Sequence, residues 1–210
     1  MEEGKVDLIT ISREFGSGGS ELAQALGARL GWRVLDRDLV QLVAERLKLD
    51  PRTVAAIDEH PPGIFSRLSS ALLITHPEWA TSLDTSDVLS PDAIADATRA
   101  AILEAGQSPP VVVVGHGSQC LFHDRPATLH VRLVAPLQAR VERICTREPC
   151  EGVTAVAQVR RMDTDRSAYV RRYYHNDWRD PLLYDMEINT GRVTIETAAA
   201  LVVALVRSSA

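Results

Sequence analysis

Small residues concentrate between Gly16 and Ser20, where the sequence is Gly-Ser-Gly-Gly-Ser. The run follows a short apolar stretch, Leu8 to Ile11, and precedes apolar residues at helical spacing. A glycine-rich turn between a buried strand and a helix exposes several backbone N–H groups to one anion, and the helix dipole adds about half a positive charge there. Glycine also tolerates positive φ and lets a phosphate approach the backbone closely. The segment therefore predicts a phosphate-binding loop, with a plain glycine-rich strand–helix turn as the alternative.

The loop differs from the common pattern G-x-x-x-x-G-K-[ST] at the lysine. If Gly18 is the last glycine of that pattern, Gly19 stands where the lysine is expected and Ser20 where the hydroxyl is expected. The chain has two lysines, and neither is close to the loop in sequence. Our hypothesis is that Arg13, just before the turn, bends over the phosphates and supplies the missing charge. Alternatively, Arg13 pairs with Glu14 or with a carboxylate of a lid segment.

A second candidate for phosphate chemistry is the arginine-rich stretch 136–172. It contains five acids and eight arginines in a chain of net charge −5, the arginines being Arg140, Arg143, Arg147, Arg160, Arg161, Arg166, Arg171 and Arg172. The first three lie at i, i+3 and i+7, so they line one side of a helix. Guanidinium groups can clamp a transferring phosphoryl group through paired hydrogen bonds. A solvated helical hairpin with salt-bridged faces is the alternative.

The elements that must position these residues alternate along the chain. Short apolar runs predict five strands, at Leu8–Ile11, Arg33–Leu35, Val111–Val114, Leu129–Val134 and Met186–Asn189. Helical patterns follow residue 20, start again at Asp50-Pro51 and Ser90-Pro91, and cover 137–147, 153–174 and 194–206. Alternation of this kind predicts an α/β fold, three-layer α/β/α with a mainly parallel sheet, whose ligands bind beyond the carboxyl ends of the strands. Residues 61–90 are expected to be helices and loops that cover an acceptor pocket.

Composition restricts the class of protein. The 210 residues fit one domain, and 45% apolar content is ordinary for a globular core. The negative net charge and 5% aromatic content argue against nucleic-acid binding. The start lacks the features of a signal peptide, and no apolar run approaches the ~18 residues that span a bilayer. Three cysteines without a CxxC pair are typical of reduced thiols, so we expect a cytoplasmic protein without membrane contact.

Several segments, taken in order, resemble the cytidylate kinase-like family. They are Ile9–Gly19 (ITISREFGSGG), Leu35–Leu39 (LDRDL), Val112–Gly117 (VVVGHG), Asp163–Tyr169 (DTDRSAY) and Tyr184–Thr190 (YDMEINT). Matches span most of the chain except residues 50–100. The resemblance implies a P-loop kinase fold with a helical lid, in one domain 1–210. It also implies an acceptor-side helical region at 36–105 and an arginine-rich lid region at 136–180.

The function that the resemblance implies is transfer of a phosphoryl group from ATP, with Mg2+, to CMP, dCMP or a related acceptor. The expected partners are a nucleotide and a small-molecule acceptor, and the sequence leaves a homodimer open. Two features depart from the family pattern. Gly115-His116-Gly117 replaces a Gly-Arg-Asp that holds the acceptor in true cytidylate kinases, and Val114 replaces an aspartate. A catalytically degenerate nucleotide-binding regulatory module, or a kinase of another small molecule, therefore stay as alternatives.

The candidate site residues fall into three sets: catalytic, donor-binding and acceptor-binding. The catalytic candidates are Arg13, Arg166 and Asp163, the last two by their match to the family's lid motif. The candidates for donor nucleotide are Gly16, Ser17, Gly18, Gly19, Ser20, Arg143 and Arg147, and Ser20 is also the candidate Mg2+ ligand. The candidates for the acceptor are Asp36, Arg37, His116 and Arg161. Asp36 could instead cap a helix and His116 could be structural, and Gly152 is a candidate hinge of the lid.

Overall fold

A computed structural model describes residues 5–36, 38–47, 91–147 and 152–208. Its strands are β1 (Leu8–Arg13), β2 (Arg33–Leu35), β3 (Val111–Val114), β4 (Thr128–Val134) and β5 (Met186–Asn189). The helices of the described residues are α1 (Gly19–Leu30), α2 (Asp38–Leu47), α3 (Pro91–Gly106), α4 (Ser118–Leu121), α5 (Leu137–Arg147), α6 (Gly152–Tyr174) and α7 (Ile195–Ser208). A short 3-10 helix covers Pro181–Leu183.

The chain divides into two compact units. One comprises Met1–Asp36 with Ile102–Ala210 and contains all five strands, and the other comprises Arg37–Ala101. The predicted helix start at Asp50-Pro51 and the predicted acceptor cover at 61–90 lie outside the described residues. The single domain therefore stays a prediction.

The five strands form one sheet in the order β2-β3-β1-β4-β5. Every neighbouring pair is parallel, which confirms the predicted three-layer α/β/α class. β1 is central, with Ile11 opposite Val114 of β3 and Val131 of β4. The residues that follow β1 therefore lie in the middle of the sheet's carboxyl edge, where ligands of such sheets bind.

One face of the sheet is apolar and is covered by α1 and α7. Ile9, Ile11, Val112 and Val131 are fully buried there with Leu22 of α1. The helix forms because its apolar residues recur at helical spacing, and it stops at Gly31, which has a left-handed backbone conformation. This packing fixes where the first turn of α1 meets the end of β1.

The opposite face carries polar side chains on β1 and β4. Thr10 Oγ1 and His130 Nδ1 are 2.7 Å apart, and the Tyr184 hydroxyl lies 3.1 Å from Ser12 Oγ. Burial lowers the pKa of His130 below its ordinary value and raises the pKa of Tyr184 to about 12. Both groups are therefore held neutral near pH 7.

Among the helices that the structure describes, none is long and apolar enough to pass through a membrane.

Candidate functional site

The loop between β1 and α1 is held in its turn by short-range hydrogen bonds. Gly16 and Gly18 have φ of 80° and 92°, which glycine adopts without the strain of a side chain. Ser17 is buried, and its hydroxyl donates to the carbonyl of Glu14 at 2.8 Å. Thr190, just after β5, donates its hydroxyl to the Ser17 carbonyl at 2.7 Å. The predicted glycine-rich turn is thus an ordered loop that is tied to the end of β5.

Several backbone N–H groups of this loop remain available to a ligand. The first amide of α1 that bonds back into the chain is that of Leu22, which donates to the Gly18 carbonyl at 2.9 Å. Within the described residues, no acceptor is found for the amides of Gly16, Gly18, Gly19 and Ser20. They stand at the positive end of the helix dipole. This arrangement is the one that binds phosphate at helix N-termini.

Arg13 lies along the start of α1 and reaches the turn after β3. A Cβ on Gly19 would lie 2.6 Å from the Cγ of Arg13, and a Cβ on Gly115 would collide with its guanidinium group. The arginine side chain therefore occupies the space that a side chain at position 19 would need. Its cationic end lies at the carboxyl edge of β3. Arg13 as a whole is half-buried.

Three arginines from the predicted lid bind carbonyl groups of the loop. Arg140 Nη1 donates to the Phe15 carbonyl at 3.4 Å, and Arg143 Nη1 donates to the Gly16 carbonyl at 2.9 Å. Arg166 Nη1 donates to the Arg13 carbonyl at 2.9 Å. These contacts hold the loop's oxygens toward α5 and α6. Carbonyls that are engaged in this way cannot turn toward an anion and repel it.

Asp163 connects α6 to the loop through its carboxylate. One oxygen accepts from the Phe15 amide at 2.8 Å, and the other accepts from the Arg140 guanidinium. Arg140 also lies 3.6 Å from a carboxylate oxygen of Glu14. In this conformation Asp163 links the loop to α6, and the Phe15 amide is bonded to it.

Arg143 and Arg147 both face Glu21, in the first turn of α1. The nitrogen–oxygen distances are 3.8 Å and 3.9 Å. Next to this group lies a cavity of about 520 Å³, lined by Glu21, Ala25, Arg143 and residues 190–196. The two predicted donor-phosphate arginines thus lie beside the first turn of α1, and the cavity adjoins Arg143.

His116 lies in the turn after β3, with φ of 55°. Its carbonyl accepts from the Tyr174 hydroxyl at 2.9 Å, and its ring meets the edge of Tyr169 at a centroid distance of 6.5 Å. A Cβ on Gly117 would collide with the ring of Tyr174. The two glycines of Gly115-His116-Gly117 therefore give room to Arg13 on one side and to Tyr174 on the other.

The remaining predicted site residues are Ser20, Asp36, Arg161 and Arg37. Ser20 is half-buried in the first turn of α1, Asp36 follows β2, and Arg161 is exposed on α6. Arg37 lies outside the described residues. No cluster of three or more metal-ligating side chains exists within the described part of the chain. A Mg2+ site with Ser20 as a ligand therefore stays a prediction.

Sequence reasoning assigned no role to Glu21 or Thr190. It named Glu14 only as a possible partner of Arg13, and Arg140 only as one of the arginines of its helix. The i, i+3, i+7 spacing of Arg140, Arg143 and Arg147 indicated a shared helix side, and the structure buries Arg140 most deeply, at 8% exposure. The loop partner of Thr190 is 173 residues away in sequence, so no local signal could identify it.

Comparisons with known proteins agree with this geometry. Residues 8–192 match the model of the cytidylate kinase-like family. A cytidylate kinase from Sulfolobus acidocaldarius is 28% identical over 96 residues, which is 46% of this chain and 52% of that protein. A uronate isomerase from Corynebacterium glutamicum is 33% identical over 93 residues, which is 44% of this chain but 18% of that protein. The chain thus spans about half or less of the curated relatives that it matches.

Two solved structures share the fold over nearly the whole chain. An uncharacterized protein from Eubacterium ventriosum has a TM-score of 0.68 at 21% identity, covering 96% of this chain and 98% of that one. A shikimate kinase from Acinetobacter baumannii, in complex with shikimate, has a TM-score of 0.53 at 15% identity, covering 97% and 94%. At these identities the likeness is one of fold.

Proposed function

Because the chain belongs to the cytidylate kinase-like family, we propose that it transfers the γ-phosphoryl group of ATP to CMP, dCMP or a related acceptor. One observation carries the proposal. The amides of Gly16, Gly18, Gly19 and Ser20, which have no acceptor among the described residues, lie at and just before the N-terminus of α1, and Arg13 runs beside them. A cradle of amides with a cation next to it is suited to a polyphosphate.

The chain's own residues would act by position and charge. The amides hold the donor phosphates, and the Arg13 guanidinium stabilises the negative charge that spreads over the transferred group. Arg140, Arg143 and Arg166 keep the loop carbonyls turned away, so little reorganisation is needed when the anion arrives. Mg2+ bound to the nucleotide would neutralise further phosphate charge, with Ser20 as the protein's oxygen ligand.

A catalytically degenerate nucleotide-binding module is the second candidate. The lysine of the common phosphate loop is absent, Val114 stands in place of an aspartate, and Asp163 occupies the Phe15 amide. Each of these would lower catalytic power more than it lowers binding. A kinase of another small molecule is the third candidate, since one fold serves many acceptors.

A coupled ADP-release assay over the common nucleoside monophosphates, with calorimetry of ATP binding, tests these candidates. Turnover with CMP or dCMP supports the first. Binding of ATP with no turnover on any monophosphate supports the second, and turnover with an unrelated acceptor alone supports the third. Absence of binding to any di- or triphosphate would overturn all three.

The cytoplasmic location and the homodimer stay predictions.

A further inference from the structure

Glu21 stands among the groups that would receive the nucleotide's phosphates, although it carries the same charge as the ligand. It lies in the first turn of α1, next to the open amides of Gly19 and Ser20. One carboxylate oxygen is 3.8 Å from Arg143 Nε, and the other is 3.9 Å from Arg147 Nη1. One carboxylate thus faces two guanidinium groups at the edge of the cavity.

These two ion pairs are loose and open to solvent. The side chain of Glu21 is 40% exposed, and that of Arg147 is 50% exposed. Pairs of this length and exposure contribute little to stability, because water and salt screen them. A phosphate group binds guanidinium more strongly than a loose carboxylate does, because its oxygens accept paired, charge-assisted hydrogen bonds.

Arg143 is better anchored than its neighbour. Its guanidinium also donates to the carbonyls of Gly16, at 2.9 Å, and Thr190, at 3.4 Å. Arg147 has Glu21 as its ion-pair partner among the described residues. Arg147 is therefore the cation that can change partner without disturbing the loop.

We infer that Glu21 competes internally with the nucleotide's phosphates for Arg143 and Arg147, and so sets the affinity and release rate of the donor nucleotide. This inference rests on the proposed function. Without nucleotide, the carboxylate offsets part of the positive charge of two arginines one helical turn apart. When a nucleotide binds, its phosphate takes the arginines and Glu21 turns to solvent. On release, the returning carboxylate assists the departure of ADP.

The test is calorimetry and stopped-flow dissociation of ATP, ADP and adenosine with the wild type, Glu21→Gln and Glu142→Gln. Removing the competitor should raise the affinity for ATP and ADP roughly three- to tenfold, the scale of two exposed ion pairs, mainly through slower dissociation. Adenosine, which has no phosphate, should bind equally to all three proteins. Glu142 is the matched control, because it is an exposed acid on the helix that carries Arg143, where it accepts from Gln138.

Two further arms separate competition from a structural role. Raising the salt concentration should bring the wild type and Glu21→Gln together, because the competing pairs are screened. Arg147→Ala should remove most of the gain in a double-mutant cycle with Glu21→Gln. Glu21→Asp, one methylene shorter, should show a smaller gain of the same sign.

The outcomes are distinct. Unchanged or weaker ATP binding by Glu21→Gln, or an equal gain with Glu142→Gln, overturns this inference and leaves the proposed function in place. A gain for adenosine equal to that for ATP also overturns it. A wild type that binds neither ATP nor ADP overturns the proposed function and this inference together.

Discussion

Arg13 and Gly19 have exchanged the roles that the common phosphate loop gives to a glycine and a lysine. The arginine stands at the first position of the pattern, and its aliphatic part covers the Cα of Gly19. A lysine at position 19 would need that same space. Our proposal is that Arg13, from the end of β1, supplies the cation that the loop lacks, and the contact ties the residue at position 19 to the one at position 13.

The first prediction concerns the charge of Arg13. Arg13→Ala should weaken ATP binding about ten- to a hundredfold, the scale expected when a hydrogen bond to a charged group is lost. Arg13→Lys should restore part of the affinity, because it returns the charge without the planar fork. Isothermal titration of the three proteins measures this. Arg29→Ala, on the exposed side of α1, is the control, and an Arg13→Ala protein with wild-type affinity would contradict the prediction.

The second prediction concerns the space at Gly19. Gly19→Ala should displace Arg13, because the new Cβ would lie 2.6 Å from its Cγ, and nucleotide affinity should fall at least as far as in Arg13→Ala. Gln24→Ala is the control, since Gln24 is an exposed residue of the same helix. Equal affinities of the two variants would show that Arg13 does not depend on this glycine.

At the scale of elements, the loop, α5 and α6 form one hydrogen-bonded unit. Arg140 and Arg143 come from α5, and Asp163 and Arg166 come from α6, yet all four bind backbone groups of residues 13–16. Helix periodicity found the side of α5 that carries its arginines. It could not show that they would bind carbonyl groups of the protein itself, because the partner atoms come from a distant part of the chain.

The third prediction separates the two roles open to Asp163. As a bridge, its loss in Asp163→Asn should lower stability by about 1–3 kcal/mol, since a half-buried charge pair and a backbone hydrogen bond are weakened. Thermal denaturation should then shift down by roughly 2–10 °C. Asp124→Asn, at an exposed position, should not shift. Unchanged stability with abolished turnover would assign Asp163 to the chemistry instead.

At the scale of the molecule, the polar face of the sheet makes stability depend on pH. His130 is buried beside Thr10, and burial lowers its pKa, an effect that Asp185 partly opposes. The folded state therefore holds the neutral imidazole, while the unfolded chain takes up a proton near the ordinary value of 6.5. Stability from this group is complete above that pH and is lost as pH falls toward the lower folded pKa.

The fourth prediction follows from the lowered pKa of His130. Wild-type unfolding free energy, measured with urea, should fall from pH 7 to pH 5, and His130→Gln should reduce the slope because the titrating group is gone. His175→Asn removes an exposed histidine and should leave the slope unchanged. A wild-type slope equal to that of His130→Gln would contradict the prediction.

The sequence by itself determined the class of fold, the position of the phosphate loop and the chain's membership of its family. Those properties follow from local patterns: β-branched runs make buried strands, Gly16 to Gly19 permit the turn, and apolar spacing makes α1. Only the tertiary structure decided the partners of the charged side chains. Arg13 lies over Gly19 and Gly115, Asp163 bridges to Phe15, and Glu21 faces two arginines. Packing brings together residues that are as many as 173 positions apart. A charged residue in a sequence could pair with many residues of opposite charge, and the fold determines which of them lie close to it.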